Sequence, residues 1–531
     1  MTQFFILAFI KKRKRLRLRL INKGLKNLQE NDRSALLNEL KYLISNTLLN
    51  NIHFPKHLLN GGRVNAELSV RQYLSGRILG LAFNKSILYS IGANKPVRYP
   101  LPKEWRNTLM SQGIDVNNFV SALLWHIYCF LDWGKGFLHG VRSILFLLKK
   151  SPELGRHIYF NDINYNCISS DLRANNIINW YFQWSGKTEG LESACHSVKT
   201  KSNFRLGEIN IIQTDGLPKI RKLKLLQYIF SVVYLTIYSF FSLVSRHTFS
   251  FFLEEMLKFK RADLANIEDF SKDYLFHNST PFYRPIWTYS AEEKGSRVLF
   301  YFYSTNNEAF LPKDGSPEKT LWHLISWPHY LVWDKFQADF IKRFNRHNSI
   351  IEEVGSIWFS SYQMSLDTPM ESIAVFDVTP FRPAVYISHG ADVDYYIYNN
   401  SNQFLSDIQF ILGNNNITML HKMKRIHKWI HKKYIRRVRQ LNKEYNYIEV
   451  HPNIDALQII QQTKACISMP FTSTALIAKL EGKPSVYYDP SGLVQIHSTK
   501  EAAHGIPVLS SIDELQEWVK SICNPPKINT Q

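Results

Sequence analysis

Between residues 155 and 490 the chain alternates short, nearly continuous apolar runs with longer stretches in which apolar residues return at helical spacing. The short runs read as strands: RHIYFNDIN, EINIIQTDG, SRVLFYFYSTNNE and SIIEEVGSIWF, then IAVFDVTP, ITMLHKMK, YIEVHP, ACISMP and SVYYDP. The longer stretches read as helices: SDLRANNIINWYFQW, capped by Ser170 or Asp171, HYLVWDKFQADFIKRF, SNQFLSDIQFIL, a basic helix after ITMLHKMK, IDALQIIQQT and TALIAKLEG. A strand buried on both faces, followed by an amphipathic helix, is the repeating unit of a parallel sheet covered on both sides. The expected fold is α/β with two Rossmann-like halves, 151–365 and 366–520, joined at the polar, turn-rich SYQMSLDTPMES. Residues 1–150 read as a helical N-terminal region and 521–531 as a tail.

Two apolar segments stand apart from this alternation. NFVSALLWHIYCFLDWGKGFLHGVRSILFLL includes Asp132, Lys135 and Arg142, which suits a buried helical pair better than a membrane span. Residues 225–245 hold no charged side chain and are long enough to cross a bilayer, but they are rich in Ser, Thr and Tyr. A full span, a helix lying at a membrane surface and a long packed helix all fit that composition.

With 531 residues, 45% hydrophobic and 21% charged, the chain has material for more than one globular core. Five cysteines in no metal-like spacing fit a reducing compartment. The opening MTQFFILAFIKKRKRLRLRL puts its apolar run before its basic one, the reverse of a secretory signal, so a cytoplasmic protein is expected. The net charge of +21 is concentrated in KKRKRLRLR from Lys11 and HKMKRIHKWIHKKYIRRVR from His421. It calls for an anionic partner, whether nucleotide-linked substrate, acidic phospholipid or nucleic acid. The last is the weakest of these, because no recognised nucleic-acid module is present.

The candidate chemistry lies where strands end. In MPFTSTALIAKLEG a strand halts at Thr472, Ser473 and Thr474 and a helix begins. One hydroxyl would cap that helix. Three in a row also suit an anion, since hydroxyls and the free N–H groups of a helix N-terminus can all donate to a phosphate. Upstream, YIEVHPNID puts His451 and Pro452 at the end of the preceding strand, so the imidazole is expected beside the hydroxyls, as phosphate ligand or general acid. The plainer reading makes Pro452 a helix-start residue with His451 merely before it.

HPNIDALQIIQQTKACISMPFTSTALIAKLEGKPSVYYDP resembles the C-terminal half of bacterial surface polysaccharide biosynthesis proteins named for a Pro-Phe-Thr-Ser motif, here Pro470, Phe471, Thr472 and Ser473. More distantly, a His-Pro pair followed by a Ser/Thr pair is similar to the two-Rossmann, GT-B type of sialyltransferase-like and capsule glycosyltransferases. The resemblance implies a metal-independent enzyme without a cofactor, peripheral at the inner face of the cytoplasmic membrane. It would move a sugar from a nucleotide-sugar donor to a surface polysaccharide or lipid-linked glycan. His451, Pro452, Thr472, Ser473 and Thr474 would then bind the donor, with His451 also catalytic. The base on the acceptor hydroxyl corresponds to Asp215 in IIQTDGLP, although Thr214 stands where such enzymes carry an acid; Asp162 and Glu308 are the next candidates. A rival motif, HGADVDYY, sets Asp392 and Asp394 at the spacing that holds a divalent cation in metal-dependent transferases. A non-catalytic, membrane-associated component of polysaccharide assembly is the alternative reading.

Overall fold

The computed structural model describes residues 2–28, 33–50, 64–148, 158–161, 177–186, 193–196, 204–206, 209–245, 249–277, 282–302, 319–345, 348–356, 369–389, 397–424, 428–452, 454–492 and 503–523. Six helices come first: α1 (Thr2–Asn27), α2 (Arg33–Asn46), α3 (Ala66–Ile78), α4 (Leu81–Ala93), α5 (Lys103–Ser111) and α6 (Asn118–Leu148). They form the helical region that the first 150 residues predict. The crossing of α1 and α4 is set by Gly24 and Gly92, where a Cβ would meet the backbone of the other helix at Leu88 and Leu20. Only glycine allows so close an approach.

The first sheet takes its strands from 158–353, in the order β3-β4-β2-β1-β5-β6-β7-β8. They are β1 (Ile158–Phe160), β2 (Ser193–His196), β3 (Phe204–Leu206), β4 (Ile209–Gln213), β5 (Asp273–His277), β6 (Arg297–Tyr301), β7 (His329–Val332) and β8 (Ile350–Glu353). All pairings are parallel except β3 with β4. Helix α7 (Ile177–Ser185) packs on one face, α9 (Leu253–Leu264) and α10 (Trp287–Glu293) on the other, and α8 (Lys222–Val244) lies outside against α6 and α9. The chain changes faces between β1 and β5. HYLVWDKFQADFIKRF is a strand and a helix, not one helix: β7 ends before Asp334, whose carboxylate accepts from the Gln337 N–H at 3.0 Å and starts α11 (Lys335–Phe344).

The second sheet is parallel throughout, ordered β11-β10-β9-β12-β13-β14. Its strands are β9 (Ser372–Phe376), β10 (Thr418–Lys422), β11 (Tyr447–Val450), β12 (Ala465–Ser468), β13 (Ser485–Tyr488) and β14 (Val508–Leu509). After α12 (Pro383–His389), helices α13 (Tyr398–Asn414), α14 (Lys432–Leu441) and α17 (Ile512–Cys523) cover one face; α15 (Ala456–Gln462) and α16 (Ser473–Leu480) cover the other. The chain therefore changes faces between β9 and β12. Both sheets are doubly wound, the two-Rossmann α/β architecture that the alternation predicts. They meet at α11, where Asp334 lies 2.9 Å from the buried imidazole of His504 and Phe336 packs edge-on against it. The N-terminal helices touch both units, α2 and α3 beside 321–324 of the first and α1 and α4 against α12 of the second.

The expectation that α6 is buried is corrected by the structure. Ser121, Asp132, Gly136, Gly140 and Ser143 face inward, while Phe119, Phe130, Leu138 and Leu145 are exposed. The segment at 225–245 falls in α8, packed along one side and open along the other.

Candidate functional site

In an open parallel sheet, ligands bind beyond the carboxyl ends of the strands where the winding reverses. That point in the first sheet is occupied by a pocket of about 510 Å³. Tyr159 and Asn161 enter it from β1, Gln213, Thr214 and Asp215 from β4, and Phe276 from β5. Glu255 and Lys258 of α9, His139 of α6 and Tyr283 close its far side. Gly216 makes the turn at its rim with φ +75°; a Cβ there would lie 2.3 Å from the Tyr159 ring, so glycine is the residue that fits.

Asp215 is in this pocket, but its carboxylate is committed. Arg261, itself only 1% exposed, donates to Oδ2 at 2.7 Å and to the carbonyls of Pro218 and Leu217. The Leu217 N–H donates to Oδ1 at 3.1 Å. An Asp-Gly turn pinned by a buried guanidinium accounts for these contacts.

His139 is the pocket group that sequence reasoning missed. Burial, then the neighbouring charge of Lys258 and Arg261, holds its pKa below the ordinary value, with Glu254 and Glu255 opposing. The imidazole is thus neutral at pH 7 and able to accept a proton. Lys258 bonds Glu254 at 2.7 Å and Glu255 at 2.8 Å. Burial alone would lower its pKa, but these two carboxylates hold it above the ordinary lysine range. A histidine in an otherwise apolar helix, with Asp132 and Lys135 a turn or two away, is the signal that was available for it.

The second sheet reverses winding between β9 and β12, and the loop leaving β12 there is Met469–Thr472. Phe471 adopts φ +59°, a left-handed conformation that is costly for a bulky residue, and it lies buried against Tyr487. The hydroxyls are knit together. Thr472 Oγ1 donates to the Met469 carbonyl at 2.9 Å and lies 3.2 Å from Thr474 Oγ1, which lies 2.9 Å from Ser468 Oγ. The Tyr487 hydroxyl donates to the Thr472 carbonyl. Thr472 is the N-cap of α16, yet its side chain makes no capping bond, so simple capping does not account for the triplet. Under β9, the buried Asp377 accepts from the Tyr434 hydroxyl and lies 3.4 Å from His421, whose Nδ1 lies 2.7 Å from the Tyr447 hydroxyl. This network braces the end of the sheet from its other face.

His451 and Pro452 follow β11 at the same carboxyl edge and are exposed or half-buried. They do not adjoin the hydroxyls as expected. Strands β10 and β9 stand between β11 and β12, which separates the two loops by about 14 Å at ordinary strand spacing. The cause is the crossover through α15, which carries the chain over two strands before β12. Asp162, Glu308, Asp392 and Asp394 lie outside the described residues. Among the described residues no cluster of three metal-ligating side chains occurs.

The model of the "Polysaccharide biosynthesis PFTS motif protein" family matches residues 235–519, more than half of the chain. No curated protein matches it. Solved structures are similar at low identity. The glycotransferase of kitacinnamycin is 9% identical, with a TM-score of 0.36 over 71% of this chain and 92% of that one. A variant of the wall teichoic acid polymerase TagF is 9% identical, with a TM-score of 0.39 over 75% and 89%. A protein from Listeria monocytogenes described as a UDP-N-acetylglucosamine 2-epimerase is 9% identical, with a TM-score of 0.36 over 70% and 88%. At such scores these likenesses carry no argument. The family match does: with its Pro470-Phe471-Thr472-Ser473 loop at the winding reversal of the second sheet, the chain belongs to the polysaccharide biosynthesis PFTS motif family.

Proposed function

We propose that the protein is a GT-B type glycosyltransferase that moves a sugar from a nucleotide-sugar donor at the second sheet to a glycan acceptor in the pocket of the first. The observation that carries this is the placement of two chemically different sites at the two winding reversals of a polysaccharide biosynthesis protein. The N-terminus of α16, with the hydroxyls of Thr472, Ser473 and Thr474, receives the donor phosphate. His451 and Pro452, three strands away, would meet the far end of a ligand as long as a nucleoside diphosphate.

In the transfer, the acceptor oxygen bonds to the anomeric carbon as the bond from that carbon to phosphate breaks, and the electron pair leaves on the nucleotide. The acceptor proton passes to a base, because a sugar hydroxyl is a poor nucleophile. His139 has a lone pair available for it. Asp215, the base that the resemblance implies, stands at the same rim and would orient the acceptor through its paired carboxylate. Charge on the leaving phosphate is met by the fixed dipoles of α16, with no step assigned to a metal.

The committed carboxylate of Asp215 also favours a second reading, a donor-binding component that does not turn over. Incubating the protein with UDP-, GDP- and CMP-sugars and a membrane glycan extract separates the two. Acceptor-dependent release of the nucleotide, unaffected by EDTA, is expected; binding without release would support the second reading, and loss with EDTA would end the metal-free mechanism.

A further inference from the structure

Helices α6 and α8 run antiparallel along one side of the molecule: Trp133 donates to the Thr236 carbonyl, and Gly140 lets Val232 approach. The amphipathicity of α6 is reversed, and α8 is apolar on both its buried and its exposed sides. Besides Trp125, the buried side of α6 is Ser121, Cys129, Asp132, Gly136, Gly140 and Ser143, whereas that of α8 is Tyr228, Val232, Leu235, Ser239 and Ser242. Outward, α6 turns Phe119, Phe130 and Leu138, and α8 turns Phe230, Ile237 and Phe241, the last exposed by 66%. A helix in water buries its apolar side. A helix such as α6, with mostly small and polar residues inside and large apolar ones outside, and a helix such as α8, apolar all round, both suit surroundings of hydrocarbon.

The rim decides what covers it. Lys135 and Arg142 lie on one flank of the α6 stripe, and Arg221, Lys222 and Lys224 stand at the start of α8. Basic side chains around an apolar face match anionic headgroups around acyl chains, whereas two copies face to face would bring like charges together. A groove of about 380 Å³ between Ile127, Phe130, Leu243 and Val244 opens on this face. The pocket of the first sheet lies behind α6 further along the helix: His139 lines it while Leu138 and Val141, its neighbours on α6, are exposed. One helix diameter, about 10 Å, separates the two.

We infer that the outer faces of α6 and α8 are seated in the hydrocarbon of one bilayer leaflet, lying in its plane, and that the pocket beside Asp215 takes glycans carried on a lipid. The lipid-linked acceptor rests on the transferase reading; the membrane seat does not.

Flotation of the full-length protein with phosphatidylcholine vesicles, with and without phosphatidylglycerol, tests the seat. Binding to neutral vesicles that persists in high salt is expected, tightened by the anionic lipid at low salt. The double substitution Phe230→Glu/Phe241→Glu should cut neutral-vesicle binding at least tenfold. Thermal unfolding in lipid-free buffer should be unchanged, because both side chains are exposed. Binding only to anionic vesicles and abolished by salt would overturn the insertion. So would a stable wild-type dimer that the Glu pair splits into monomers without affecting vesicle binding. If the seat holds but no donor is turned over with any acceptor, the transferase reading fails alone. If turnover occurs and the Glu pair slows a detergent-dispersed lipid-linked acceptor no more than a water-soluble one, the lipid-linked assignment fails while transfer stands.

Discussion

The two carboxyl edges of this molecule are made of different chemistry. At the first sheet, His139, Asp215, Glu255 and Lys258 surround one pocket, in which burial and the charge of Lys258 lower the pKa of His139, while Glu255 and Glu254 raise that of Lys258 against its burial. At the second, the buried Thr472 and Ser473 and the half-buried Thr474 stand at a helix start, with a left-handed Phe471 in the loop before them. On the proposed reading, the first edge moves a proton and the second holds an anion.

The contrast breaks most readily at the proton-moving edge. His139→Asn is expected to lower turnover by about 10²- to 10⁴-fold, the usual range for a general base, whereas Asp215→Asn should cost about tenfold through lost positioning. Steady-state rates with a purified acceptor read both, and a reversal of the two magnitudes would return the base to Asp215. The pH profile of the wild type should fall on the acid side, at a pKa below the ordinary histidine value of 6.5, and that limb should vanish in His139→Asn. Stability follows the same sign. The folded imidazole is depressed, so below 6.5 the unfolded chain binds more protons; stability drops as pH falls through that value and levels off below the folded pKa. Urea titrations across this range would show a flatter curve for the variant.

Next in size is Arg261→Ala, which leaves Asp215 and the carbonyls of Leu217 and Pro218 without their donor. A loss of about 3 kcal/mol is expected, as for other broken buried pairs, read as a lower urea midpoint with donor affinity unchanged. Equal stability would mean that the pocket rim is not held by this guanidinium.

How much of this was legible in the sequence differs between the same two regions. Most of the second sheet was plain, because continuous apolar runs such as ACISMP and SVYYDP have no other reading at that length. In the first sheet, DYLFH and HYLV were overlooked: a strand beside a helix in an aromatic-rich stretch mimics helical spacing, and Asp334 as N-cap was the clue to the boundary. The hydroxyl loop was legible as the junction between β12 and α16. Its distance from His451 was not, since strand order is fixed by a crossover that no local pattern encodes. His139 and the outward side of α6 escaped for one shared reason. An apolar helix is assumed to bury its apolar side, and here the polar side is the buried one.

Calorimetric titration of the wild type and of Thr472→Ala/Thr474→Ala with UDP, GDP and CMP tests the account most directly, since it asks whether the hydroxyl loop holds a nucleotide. One of the three should bind at one site per chain, with affinity falling about tenfold in the double variant, as for loss of about 1.4 kcal/mol of hydrogen bonding to a charged group. Binding unchanged by the double substitution, or none by any nucleotide, would contradict it.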